Sequence, residues 1–236
     1  MIAISTTVTR MKKVFVYSPH ADDAEIGVGG YIARTIGEGG QVMVALATVG
    51  DVRFAHLDGR IVGVDERVEE FERSMGVLGV QHTRIMSVGN DGTLHMTSMG
   101  AAVAALDSLI DEFRPDEVLI PLSSSHQDHR FCWHVGIAAT RPNIARHQPR
   151  MVAAYEYPLT FWGSESSETS FKGGVYVNVT SYWGKKLDAL KCYASQMRGP
   201  SGLISIQGVE ALANLRGMES GCSRAELLHA LRIVID

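Results

Sequence analysis

Val14-Phe-Val-Tyr17, then Ser18-Pro-His-Ala-Asp-Asp23, then Ala24-Glu-Ile-Gly-Val-Gly-Gly30: these consecutive pieces decide how the chain is read. The first is β-branched and aromatic with no polar interruption, which predicts a short buried strand. The second is a polar loop opened by a proline. The third starts a predicted helix, Ala24 to Glu38, with Ile26, Ile32, Ala33 and Ile36 on its apolar side and Gly39-Gly40 as its stop. Gly29-Gly30 weakens that helix locally but permits close packing on a sheet.

The same alternation continues outward. Gln41–Ala47, Arg84–Val88 and Glu117–Pro121 read as further buried strands, and Asp65–Leu78, Met99–Phe113 and Phe131–Thr140 as helices between and after them. Val68, Phe71, Met75 and Leu78 form the expected inner face of one helix, and Val103, Leu106, Leu109 and Ile110 that of the next. Strand–helix repetition of this kind predicts an α/β fold, a Rossmann-like, mostly parallel sheet with helices on both faces, in a single domain. Beyond Pro149 the pattern loosens. Met151–Tyr157 and Gly174–Val179 are expected strands, while Ser181–Gln196 and Gly208–Met218 are expected helices. The tail Ala225–Ile235 is expected to begin helical and to end as an edge strand. Residues 51–63 show no clear period, and residues 1–10 are expected to form a loose leader before a domain spanning 11–236.

A chain of 236 residues, 45% hydrophobic, can bury a sizeable core as one such domain. A net charge of −4 gives no basic excess for a nucleic-acid partner. No apolar run is long enough for a membrane span, and the N-terminal apolar stretch is too short for a signal peptide. The three cysteines, Cys132, Cys192 and Cys222, are widely spaced, with no Cys-x-x-Cys pair. They suggest neither a disulfide framework nor a thiolate zinc site, and they suit a reducing, cytoplasmic location.

Open α/β sheets bind ligands beyond the carboxyl ends of their strands. Two polar clusters fall there: Ser18–Asp23 after the first strand, and Ser125-His126-Gln-Asp128-His129-Arg130 after the fourth. A catalytic zinc needs a few N or O ligands and one open position. His20, Asp23 and His129 supply two imidazoles and a carboxylate, leaving Asp22 as a free carboxylate for general-base work. His126 is placed to donate to an oxyanion, and Asp128 to hold an imidazole in one tautomer. Taken singly, an Asp-Asp pair is usually a turn or helix cap and a His-x-x-His pair is often surface decoration. Their joint position at strand ends favours a metal site. His56 is a weaker candidate, His134 weaker again, and His82, His95, His147 and His229 are expected at the surface. Trp162 and Gly163–Ser170 suggest a lid.

At these residues the chain resembles the PIG-L/LmbE-like family of zinc-dependent N-deacetylases. Pro19-His20-Ala21-Asp22-Asp23-Ala24-Glu25 matches its Pro/Ala-His-x-Asp-Asp-x-Glu motif, and His126-Gln127-Asp128-His129 its His-x-Asp-His motif. Thr48-Val-Gly50, Arg67 with Glu70, Asp91 and Lys186–Gln196 are weaker echoes. The resemblance implies Zn2+ on His20, Asp23 and His129, Asp22 as general base, and His126 as oxyanion donor or acid. It also implies substrate contacts at Arg67 and Asp91, a basic residue supporting Asp128 at Arg150, and a possible homo-oligomer. The implied reaction removes an N-acyl group, acetyl above all, from a small-molecule amino-sugar substrate. Two other classes compete. A non-catalytic sugar-binding protein could retain the fold, though it would have no use for Asp22. A nucleotide-binding or phosphohydrolase protein would need a glycine-rich phosphate loop, and none follows a strand here.

Overall fold

A computed structural model describes residues 11–160, 162 and 174–235. The leader expected at 1–10 and the lid expected at Gly163–Ser170 lie outside the described residues; Trp162 is exposed.

Among the described residues the chain forms a seven-stranded sheet, a separate two-stranded hairpin and six α-helices. In chain order the elements begin β1 (Lys13–Ser18), α1 (Asp23–Gly37), β2 (Gln41–Leu46), β3 (Val52–Phe54), β4 (Arg60–Val62), α2 (Val64–Leu78) and β5 (His82–Ile85). They continue α3 (Met99–Phe113), β6 (Glu117–Pro121), α4 (Gln127–Ala139), β7 (Met151–Tyr155), β8 (Val175–Asn178), α5 (Trp183–Leu190), α6 (Ile206–Ser220) and β9 (Ala225–Ile233). The sheet order is β5-β2-β1-β6-β7-β9-β8. The first five strands pair in parallel, and β9 runs antiparallel to both its neighbours.

Strand alternation divides the core between two faces. Val14 and Val16 of β1 join Ile32 of α1, Phe71 and Met75 of α2, and Leu190 of α5 on one side. Phe15 and Tyr17 join Leu106, Ile110 and Phe113 of α3 and Cys132 and Val135 of α4 on the other. The mostly parallel sheet with helices on both faces is therefore as read from the sequence.

Four elements differ from the sequence reading. The third strand is His82–Ile85, not Arg84–Val88; Val88 contributes only an isolated bridge to Val49. Helix α4 begins at Gln127 rather than Phe131, because the His126 side chain accepts the Asp128 N–H and caps it. Helix α5 ends at Leu190, and turns carry the chain on to Gln196. The tail is strand from its first residue, and it lies between β7 and β8 rather than at the edge. Ala225-Glu-Leu-Leu has local helix propensity, but pairing on both sides overrides it. The stretch without period contains the β3–β4 hairpin.

The strand order reverses direction between β1 and β6, which opens a crevice at their carboxyl ends. Both polar clusters are delivered to that crevice.

Candidate active site

The loop after β1 is held by its own side chains. Ser18 Oγ donates to the His20 carbonyl at 2.8 Å and accepts the Ala24 N–H at 3.1 Å. The His20 N–H donates to Asp23 Oδ2 at 2.9 Å. Asp22 is forced to φ 127°, ψ −31°, a conformation non-glycine residues rarely take, at a cost of about 1–3 kcal/mol. It occupies the N-cap of α1, yet its side chain makes no capping hydrogen bond. The strained turn thus leaves two adjacent carboxylates, Asp22 and Asp23, on the wall of one cleft.

Asp23 Oδ2 lies 3.2 Å from His20 Nδ1 and 3.2 Å from His129 Nε2. One donor atom from each of these residues falls within 4.8 Å of the others. Ligands about 2.0–2.1 Å from a tetrahedral zinc are roughly 3.3 Å apart, so this N2O set fits such an ion. His20, His126 and Asp128 form a second cluster of the same size. Its carboxylate is already engaged. Asp128, 0% exposed, accepts the Gly92 N–H at 2.5 Å, the Leu94 N–H at 3.0 Å and His20 Nε2 at 2.9 Å. It faces the protein, whereas His20, Asp23 and His129 line the cleft. The set that could hold a metal is therefore the first, with Asp128 orienting His20 from behind.

The electrostatics follow from these contacts. Burial opposes charge on His20, but the hydrogen bonds its ring donates to Asp128 and Asp23 outweigh it and raise the pKa to about 10. Burial would raise Asp23, yet the charges and hydrogen bonds of His129 and His20 hold it well below the usual carboxylate range. Asp22 moves the other way: burial, then the neighbouring Asp23 charge, push it well up. Two adjacent carboxylates are thus driven apart in acidity, the pattern of a ligand beside a proton carrier. For His126, desolvation and the nearby His20 and His129 lower the pKa to about 4. Because His126 Nδ1 accepts the Asp128 N–H at 3.2 Å, the neutral ring carries its proton on Nε2.

The cleft encloses about 370 Å3. Arg67 and Asp91 line it as a buried ion pair, and Arg67 also donates to the Gly50 carbonyl at 2.7 Å. Sequence reasoning did not single out Tyr157, whose ring lies 4.8 Å from that of His129 and whose hydroxyl meets Ser124 Oγ at 2.9 Å. Its place just past the end of β7 was the available signal. It also missed Arg53 and Phe54 from the hairpin and Gln196, Arg198 and Ile204 from the far wall, which no local pattern marks. Exposed His56 bonds the Ser195 carbonyl at 3.0 Å and does not line the cleft. His134 is exposed on α4, and His229, expected at the surface, is buried at 4% exposure. Arg150 precedes β7 at the opposite end of the sheet, where its N–H pairs with the Asp116 carbonyl, so it does not support Asp128.

Known proteins share this architecture. The PIG-L profile, described as GlcNAc-PI de-N-acetylase, matches residues 15–140. The diacetylchitobiose deacetylase of Thermococcus kodakarensis is 28% identical over 203 residues, which cover 79% of this chain and 70% of that protein. Among solved structures, the conserved protein TT1542 of Thermus thermophilus superimposes with a TM-score of 0.74 at 21% identity, covering 96% of this chain and 97% of its own. GalB, the 4-carboxy-2-hydroxymuconate hydratase of Pseudomonas putida KT2440, also reaches 0.74, at 19% identity over 96% and 98%. These likenesses establish the fold. The profile match, spanning both the Ser18–Asp23 loop and the His126–His129 turn, establishes more: the chain belongs to the PIG-L family.

Proposed function

We propose that the protein is a zinc-dependent N-deacetylase that hydrolyses the N-acetyl amide of a glucosamine-containing small molecule or glycoconjugate. The observation that carries this reading is the pairing of Asp22, a buried carboxyl without a capping hydrogen bond, with the His20–Asp23–His129 donor set on one cleft wall. The named activity of the Thermococcus relative supports it.

His20, Asp23 and His129 would hold the ion. When bound, a divalent ion there supplies Lewis-acid polarisation and eases deprotonation of water. Asp22 accepts the proton of the attacking water, and its raised pKa suits both taking that proton and passing it to the leaving amine. The His126 Nε2–H donates to the oxygen that gains charge as water adds to the amide carbon. Cleavage of the C–N bond then yields acetate and the free amine. Arg67 Nε and Asp91 Oδ1 are buried on the cleft wall without hydrogen-bond partners among the described residues. They would meet sugar hydroxyls only if the Arg67–Asp91 pair shifts to expose them on binding. Free Cys132, Cys192 and Cys222 support a cytoplasmic location.

A scaffold shared with a hydratase does not choose the bond that water attacks, so the assay must read free amine. Zinc-loaded protein is offered N-acetylglucosamine, its glycosides and chitobiose-type conjugates. Amine release is expected, with a loss of about 100- to 10,000-fold in Asp22→Asn while zinc stoichiometry is retained. His129→Ala is expected to lose the metal. Full turnover in Asp22→Asn, or no amine from any conjugate, overturns the reading; the latter would favour a sugar-binding protein without turnover.

A further inference from the structure

Helix α1 is broken. Val28 has φ −136° and ψ 20°, outside helical values. In a continuous helix the Gly30 N–H would donate to the Ile26 carbonyl, four residues back. Here the Gly30 and Tyr31 N–H groups donate to the two carboxylate oxygens of Glu226, each at 2.8 Å. The Ile26 carbonyl is taken by Lys186 Nζ at 2.8 Å. Lys186 and Glu226 are themselves bonded at 2.6 Å, and both are buried, at 1% and 4% exposure. The ion pair therefore spans the two halves of a severed backbone hydrogen bond.

Gly29 and Gly30 make room for it. A Cβ on Gly29 would meet Lys186 Cγ at 3.2 Å, and one on Gly30 would meet Glu226 Oε1 at 2.9 Å and Val179 Cβ at 2.7 Å. A straight helix would satisfy the same backbone groups unaided, so the pair interacts with the broken form and not with the straight one. Buried ion pairs are poor stabilisers compared with apolar residues of the same volume. What this pair selects is an angle between two helix segments.

The segment ahead of the break carries Asp23 and is joined directly to Asp22 and His20. At 1.5 Å per residue, Asp23 lies about 7.5 Å from Val28. Relaxing a kink of about 20° would move it by roughly 2.6 Å, whereas metal–ligand distances tolerate about 0.2 Å.

We propose that Lys186 and Glu226 are positioning residues: they lock the break in α1 and so set the Asp22–Asp23 turn in register with His129. The inference rests on reading His20, Asp23 and His129 as the metal site.

The test compares wild type with K186M/E226L, an apolar pair that leaves the helix free to straighten. Three quantities are read: thermal midpoint without metal, Zn2+ affinity by competition with a chromophoric chelator, and kcat and KM for the amide. The expected result is a folded variant melting near wild type, zinc bound at least about tenfold more weakly, and kcat reduced with KM within about twofold. Such a split is not produced by lost stability alone. A folded variant with wild-type zinc affinity overturns the proposal. Should K186M/E226L not fold, E226Q, which keeps the volume and one acceptor but leaves Lys186 without its counter-charge, is expected to melt lower with the same losses in zinc affinity and kcat, and wild-type zinc affinity in it overturns the proposal. Zinc binding by wild type but not by His129→Ala secures the underlying site separately. If wild type binds no zinc, the functional reading falls first and this inference with it.

Discussion

Replacing Asp128 puts a number on the support behind His20. Its Oδ2 accepts the Gly92 N–H and His20 Nε2, and its Oδ1 accepts the Leu94 N–H. In Asp128→Asn the amide oxygen can take the Oδ2 place and keep two contacts, while the NH2 group faces the Leu94 N–H, donor to donor. In Asp128→Ala all three donors lose their acceptor. The His20 side chain keeps 13% exposure and can be rehydrated, so the two backbone amides set the cost. At about 1.5–3 kcal/mol for a hydrogen bond to a charged group, the Asn variant loses about 1.5–3 kcal/mol and the Ala variant about 3–6 kcal/mol. For a chain of this length that is roughly 3–12 °C and 6–24 °C in midpoint. The Ala variant also frees the His20 ring to change tautomer, which lowers zinc affinity about 10–100-fold, whereas Asn keeps an acceptor on Nε2 and loses less. Denaturant melts of metal-free protein and chelator competition measure the two effects. An Ala variant within about 1 kcal/mol of wild type, or milder than Asn, with unchanged zinc affinity, would refute the reasoning.

Other perturbations follow from single contacts. A Cβ in Gly27→Ala would sit 2.3 Å from Tyr155 Cδ2 and 3.0 Å from the Glu156 carbonyl. The Tyr155 hydroxyl is tied to the Tyr17 carbonyl at 2.9 Å, so the ring cannot swing away. A loss of about 1–3 kcal/mol is expected, and a wild-type melting curve would count against it. Zinc at 100 times its Kd should add about 2.7 kcal/mol, or roughly 5–11 °C, and a chelator should reverse the gain; an equal shift in His129→Ala would place the ion elsewhere. For His126 the folded pKa of about 4 lies below the unfolded value of about 6.5. The unfolded chain therefore binds the extra proton first, and His126 takes stability away as pH falls from about 6.5 towards 4. In metal-free protein, His126→Asn keeps a helix cap and should flatten that part of the stability–pH curve; parallel curves for the two proteins would exclude the assignment.

Much of the parallel half of the fold was legible because its signals are local. Four consecutive apolar residues at 14–17, a polar loop and a periodic helix fix β1 and its exit, and sheet topology then places His20 and His126 at one edge without any knowledge of side-chain contacts. What stayed hidden depends on distant partners. The β3–β4 hairpin has only three residues in each strand, too few to show a period, and its first strand builds a cleft wall. The β9 sequence favours helix by itself and becomes strand only between β7 and β8. Asp128 could be read as an orienting carboxylate, but not its two backbone donors at Gly92 and Leu94, which belong to a loop with no period.

Gly29-Gly30 makes the same point from the opposite side. Inside a helical pattern two glycines cost stability and count locally against the helix. Read with the sheet in mind, they permit close packing, and Gly30 does meet Val179 at the end of β8. Neither reading anticipates that Gly30 and Tyr31 surrender their backbone N–H groups to Glu226. The glycines mark where local preference is overruled, and the residues overruling it lie far along the chain, on α5 and β9. A position that violates the rules of its own helix, a few residues from the Asp22–Asp23 turn, is thus a pointer to long-range partners that hold that turn. By that logic, substitutions at Lys186 or Glu226 should disturb zinc binding more than substitutions at comparably buried sites that leave the helix break intact.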